Sequence, residues 1–126
     1  VQKFHREFTN YLSLEKQFMH IRESQRILKE IFGKCPEILT PPGNMYNEDT
    51  LISMRKIGLY YIQCDRNTSH QPSNETLLKY GIKHISNDNI YVIHDKDIVK
   101  GDSRFFDRLM SQPFLRNPES MDKIIN

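Results

Sequence analysis

The sequence predicts an α/β fold with a mostly parallel sheet. Three observations predict it: helical and extended apolar patterns alternate along the chain, Gly, Pro or small polar residues punctuate the junctions, and 126 residues amount to one domain. The implied order is helix, strand, helix, strand, short helix, strand, strand, helix, read as a single domain over residues 1–126.

The first helix is predicted from about Leu14 to Phe32, where Leu14, Phe18, Ile21, Leu28 and Phe32 recur at helical spacing on one face. Ser13 can cap its start and Gly33 can end it. A short apolar run, Ile38-Leu39, follows, and Thr40-Pro41-Pro42-Gly43-Asn44 breaks any regular element. A second helix opens at Asn47, with Glu48 and Asp49 complementing its positive end, carries Leu51, Ile52, Met54 and Ile57, and closes at Gly58. Leu59 to Gln63 reads as a strand, and the polar stretch Asp65 to Asn74 as a loop. Ser73 caps a short helix through Tyr80; Ile82 to Ile85 and Ile90 to Ile93 are strands with a turn at Ser86 to Asn89; a last helix spans roughly Ser103 to Met110.

Composition excludes several classes. Hydrophobic residues at 37% and charged residues at 27% describe a globular chain, while a mean hydropathy of −0.65 and the absence of Trp and Ala fit a wet surface or a piece of a larger fold. A net charge of +2 from 18 basic and 16 acidic residues is too balanced to drive nucleic-acid binding. No apolar run approaches the roughly 20 residues of a membrane span, and Val1 to Arg6 do not open a signal peptide. Cys35 and Cys64 lack CxxC or CxxH company, which excludes a zinc-finger framework and leaves a single disulfide or two buried thiols. Compartment is not legible.

In parallel α/β folds, reactive groups collect at the carboxyl ends of strands. Three polar clusters fall there: Thr40 to Asn44, Asp65 to His70, and His94 with Asp95 and Asp97. His94 ends the run Ile90-Tyr91-Val92-Ile93, and its imidazole can serve as acid, base or metal ligand near neutral pH, or simply hydrogen-bond a neighbouring loop. In the Pro42-Gly43-Asn44 turn, the backbone N–H groups of Gly43 and Asn44 are candidate oxyanion donors, although most such turns only connect elements. Asp65 is the first choice for a carboxylate that orients an imidazole, ahead of Asp95 and Asp97. His5 is a metal ligand or a surface residue, and His20, His70 and His84 are weaker candidates.

Together these segments resemble the polysaccharide deacetylase (NodB-homology, carbohydrate esterase 4) family. The resemblance rests on His5 leading into Arg6-Glu7-Phe8-Thr9-Asn10-Tyr11-Leu12-Ser13, and on the helix Ile21 to Ile38 with its FGKCP turn. It rests equally on Thr40-Pro41-Pro42-Gly43-Asn44 with Tyr46-Asn47 and Thr50-Leu51, on Gly58 to Ile62, and on Ile90 to Asp95. The resemblance implies a distorted (β/α) barrel of that type and a metal-dependent hydrolase that removes N-acetyl groups from an amino-sugar polymer or oligomer. It implies a divalent cofactor, usually zinc, with His5 as a metal ligand, His94 as general acid, Gly43 as oxyanion donor and Asp65 as partner of His94. Tyr46, Leu59 and Tyr91 would pack or line a groove.

The chain departs from the pattern in three places. The family's paired-aspartate strand is not present, Val1 stands where a second metal histidine is expected, and Thr40 replaces the arginine heading the proline loop. The chain therefore reads as the later portion of such a barrel, incomplete at its N-terminus, with a sheet edge prone to self-association. The alternative is a non-catalytic carbohydrate-binding or regulatory module that has lost the metal site.

Overall fold

A computed structural model of the chain describes residues 7–66, 69–86 and 107. The chain divides into two compact units, Val1–Asn89 and Ile90–Asn126. The first carries every element named below; of the second, only Asp107 is described, as a helical, exposed residue. The predicted strand Ile90 to Ile93 and the rest of the predicted last helix lie outside the described residues.

Helix α1 spans Leu14–Phe32. Its ends are local chemistry: the Ser13 side chain accepts the Lys16 N–H at 3.3 Å, and Gly33, at φ 76°, donates its N–H to the Lys29 carbonyl at 2.7 Å. The burial of α1 differs from the expected apolar stripe. Ile21 is buried and Leu14 and Phe18 are half-buried, but Leu28 and Phe32 are 37% and 73% exposed, and the other buried residue of the helix is Gln17. Helix periodicity measures an apolar stripe, not whether a neighbour covers it along its whole length.

Helix α2 spans Glu48–Ile57 and opens on a reciprocal capping box. The Asn47 side chain accepts the Thr50 N–H and the Thr50 hydroxyl accepts the Asn47 N–H, both at 3.2 Å. Leu51 and Met54 are wholly buried in the core. Helix α3, Asn74–Lys79, is a short helix capped by Ser73, whose side chain accepts the Thr76 N–H at 3.2 Å.

Three strands, β1 (Ile38–Leu39), β2 (Tyr61–Gln63) and β3 (Lys83–Ile85), form a parallel sheet in the order β1-β2-β3. Ile38 and Leu39 pair with Tyr61 and Ile62, and Tyr61, Ile62 and Gln63 pair with Lys83, His84 and Ile85. Helices α2 and α3 are the crossovers that parallel neighbours require. Both β2 and β3 begin later than the apolar runs suggest. Leu59 and Ile82 still donate their amides back into the preceding helices, to Met54 and Leu77 at 2.9 Å each, so pairing starts only beyond them. The core gathers Phe8 and Ile21 with Tyr46, Leu51, Met54, Leu59, Ile62, Cys64, Leu77 and Ile82. Among the described residues, no helix is long and apolar enough to cross a membrane.

Candidate functional site

The carboxyl ends of β1 and β2 carry two of the predicted groups. After β1, Pro41 holds an extended conformation and Pro42–Asn44 make a single 3₁₀ turn in which Gly43 and Asn44 both take left-handed backbone angles, φ 64° and φ 59°. Proline fixes the entry to this turn, and glycine and asparagine are the residues that tolerate its exit. After β2, Asp65 donates its backbone N–H to the Asn44 side-chain oxygen at 3.2 Å. The proline-glycine turn and Asp65 therefore stand together. His5 and His94, predicted as metal ligand and general acid, lie outside the described residues.

The two candidate donors of the turn differ in their hydrogen bonding. The Asn44 N–H closes on the Pro41 carbonyl at 3.2 Å, so it is not available to an oxyanion without opening the turn. Thr40, at the position where the resembling family carries arginine, donates its hydroxyl to the Gln63 side-chain oxygen at 2.9 Å. Tyr46 and Leu59 are buried in the core, as packing residues, and Tyr91 lies outside the described residues.

Beneath the turn lies a polar layer that sequence reasoning missed. All five N–H donors of Arg66 are engaged within the loop and its neighbours. Nη1 reaches the Tyr46 hydroxyl at 3.0 Å and Gln71 Oε1 at 2.9 Å, Nη2 reaches the Pro72 carbonyl at 2.6 Å and Asn74 Oδ1 at 2.8 Å, and Nε reaches Asn74 at 3.1 Å. Gln71, 7% exposed, donates Nε2 to the carbonyls of Asn44 at 2.7 Å and Asp65 at 2.8 Å. No periodicity announces such residues, because they sit in an irregular loop and bond within it and to Asn44 and Tyr46 on another.

A second buried network supports the approach to α1. Gln17 Nε2 lies within 3.2 Å of the Thr9 and Leu12 carbonyls and 3.1 Å from Asn47 Oδ1. The Thr50 hydroxyl donates to Gln17 Oε1 at 2.6 Å and lies 3.1 Å from the Phe8 carbonyl. Together these residues clamp the turn that leads into α1 onto the start of α2. Beside them, a cavity of about 380 Å³ separates α1 from β1, walled by Phe8, Ile21, Leu28, Ile38 and Leu59 and reaching Thr40 and Pro42 at the rim.

The remaining candidates take structural positions. His84 places Nε2 2.7 Å from the Cys64 carbonyl, and His20 and His70 are exposed. Both cysteines are free thiols, Cys35 exposed and Cys64 buried. Burial pushes the Cys64 thiol up to about 11, against opposition from Arg66, and burial followed by Cys64 pushes Tyr46 up to about 12. Cys64 is thus protonated at neutral pH and is not an activated nucleophile.

Among the described residues, no three His, Cys, Asp or Glu side chains come together in a set that could hold a metal ion. These residues alone therefore do not fit the divalent site that the resemblance implies. No family model, curated protein or solved structure matches the chain.

Proposed function

We propose that this chain carries a polysaccharide-deacetylase-like (β/α) barrel architecture and serves a hydrolase that removes N-acetyl groups from an amino-sugar polymer or oligomer. The observation that carries the reading is the hydrogen bond from the Asp65 N–H to the Asn44 side chain, which ties a proline-glycine turn and a carboxylate residue at the carboxyl ends of adjacent parallel strands. That is where α/β folds assemble reactive groups. In this reading Gly43 offers its N–H to the acetyl oxygen as negative charge develops there, Asp65 is a carboxylate residue at the same strand ends, and the departing amine needs a proton donor, the role the resemblance gives to His94. A divalent ion, zinc in most such sites, would polarise the acetyl carbonyl and acidify a water, and His5 is the residue of this chain to which the resemblance gives a ligand role.

Acetate release from an N-acetylglucosamine oligomer, with zinc or cobalt supplied, tests the reading. Turnover should fall about 100-fold or more in His94→Ala and stay unchanged in His20→Ala. Zinc affinity should fall in His5→Ala. Equal losses in the His94 and His20 variants, or zinc affinity indifferent to His5, would remove the catalytic assignment. A second reading, a carbohydrate-binding module without the metal, draws on Thr40 standing where the resembling family carries arginine and on Val1 standing where a second metal histidine is expected. Calorimetric binding of the same oligomer with no acetate released would select it.

A further inference from the structure

The turn after β1 and the loop after β2 come from distant parts of the sequence and are joined by hydrogen bonds. The Asp65 N–H on Asn44 Oδ1, Thr40 on Gln63 and Arg66 on Tyr46 each span them once, whereas the buried amide of Gln71 meets the Asn44 and Asp65 carbonyls at the same time. We propose that Gln71 is a positioning residue for the rim, holding Gly43 and Asp65 at a fixed separation, and that Arg66 sets the direction in which its amide faces. The inference rests on the reading of this rim as the reactive centre.

The hydrogen-bond chemistry selects one orientation. The Gln71 Nε2 group has two protons, and they meet the carbonyls of Asn44 and Asp65 at 2.7 and 2.8 Å, with Cys64 Sγ farther off at 3.8 Å. Gln71 Oε1 accepts from Arg66 Nη1 at 2.9 Å. Turned over, the amide would set oxygen against two carbonyl oxygens and an N–H₂ against a guanidinium, so all its partners are satisfied in one orientation only. Arg66 cannot swing away to accept the alternative. Its other donors are anchored on Tyr46, which follows the proline turn, and on Pro72 and Asn74, which lead into α3. A guanidinium with every donor engaged is poorly placed to bind a ligand and well placed to brace a loop. Gln71 thus joins the two halves of the rim, and Arg66 locks it to the fold behind them. Catalysis is sensitive to this kind of placement, since a displacement of about 1 Å can lower a rate about 100-fold.

The test compares Gln71→Glu and Gln71→Met with the unmodified chain, by amide hydrogen exchange and by acetate release. Glutamate keeps the shape of glutamine and can pair with Arg66, so it carries the test if the methionine variant fails to fold. Both variants lose the two donations, and the Asp65 amide should exchange at least about 10-fold faster, while the Leu59 amide, bonded to Met54 in the core, keeps its rate. In turnover, kcat should fall about 10- to 100-fold with KM within about threefold. An unchanged Asp65 exchange rate in Gln71→Glu would overturn the proposal, as would a loss confined to KM. If the unmodified chain releases no acetate, the deacetylase reading fails by itself, and the exchange rates still decide whether Gln71 holds the rim.

Discussion

Replacing Thr50 by valine removes one hydroxyl and leaves the side-chain shape nearly unchanged, which isolates the polar clamp between α1 and α2. Thr50 and Gln17 are both wholly buried, and the hydroxyl is the hydrogen-bond donor to Gln17 Oε1, at 2.6 Å. It also accepts the Asn47 N–H at 3.2 Å, half of the capping box of α2. A net hydrogen bond contributes roughly 1 kcal/mol, and an acceptor orphaned out of water costs roughly 1–3 kcal/mol more, so Thr50→Val should destabilise by about 3 kcal/mol. With no Trp and 6 Tyr in the chain, urea unfolding is best followed by tyrosine emission together with far-UV circular dichroism. For a urea slope of about 1–3 kcal/mol per molar, the midpoint should fall by about 1–3 M with the slope unchanged. Adding Gln17→Met to Thr50→Val removes the orphaned oxygen, so the pair should cost less than the sum of the single changes by about 1 kcal/mol. A Thr50→Val chain within about 0.5 kcal/mol of the original, or strict additivity of the two changes, would show that Gln17 is not held as described.

Gly43→Ala puts a Cβ at φ 64° and should cost about 1–2 kcal/mol, seen as a melting temperature lower by roughly 5 °C; an unchanged melt would mean the turn relaxes. A thiol reagent at pH 8 should modify exposed Cys35 quickly and buried Cys64 only after denaturation, and equal rates would contradict the placement of Cys64. Burial raises Tyr46 from its ordinary 10.0 to about 12 and Cys64 from 9.0 to about 11, so the folded chain holds these protons more tightly than the unfolded one. Their contribution to stability is therefore complete below about pH 9 and is lost as pH rises toward 12, and urea midpoints that rise between pH 8 and 11 would refute it. The exposed apolar surface of α1, with Met19 at 59%, Ile31 at 66% and Phe32 at 73%, should give concentration-dependent association in sedimentation; Ile31→Lys with Phe32→Lys should reduce it, and indifference to both would point elsewhere.

The sequence by itself determined the elements whose ends are local. Ser13, Asn47 and Ser73 cap the helices as read, and Gly33 and Gly58 end the first two, because each cap joins residues within a few positions of one another. The proline-glycine turn was legible for the same reason, since its backbone angles follow from which residues accept them. Tertiary structure decided what depends on distant partners. It set the starts of β2 and β3, where Leu59 and Ile82 remain bonded to the helices before them, and it left the second half of α1 exposed although Leu28 and Phe32 fall on the same apolar stripe as Ile21. It also chose which polar side chains went inside. Gln17 meets Thr50 across 33 positions and Gln71 meets Asn44 across 27, and burying an amide is tolerable only where a folded neighbour completes its hydrogen bonds, a condition no local pattern of residues encodes.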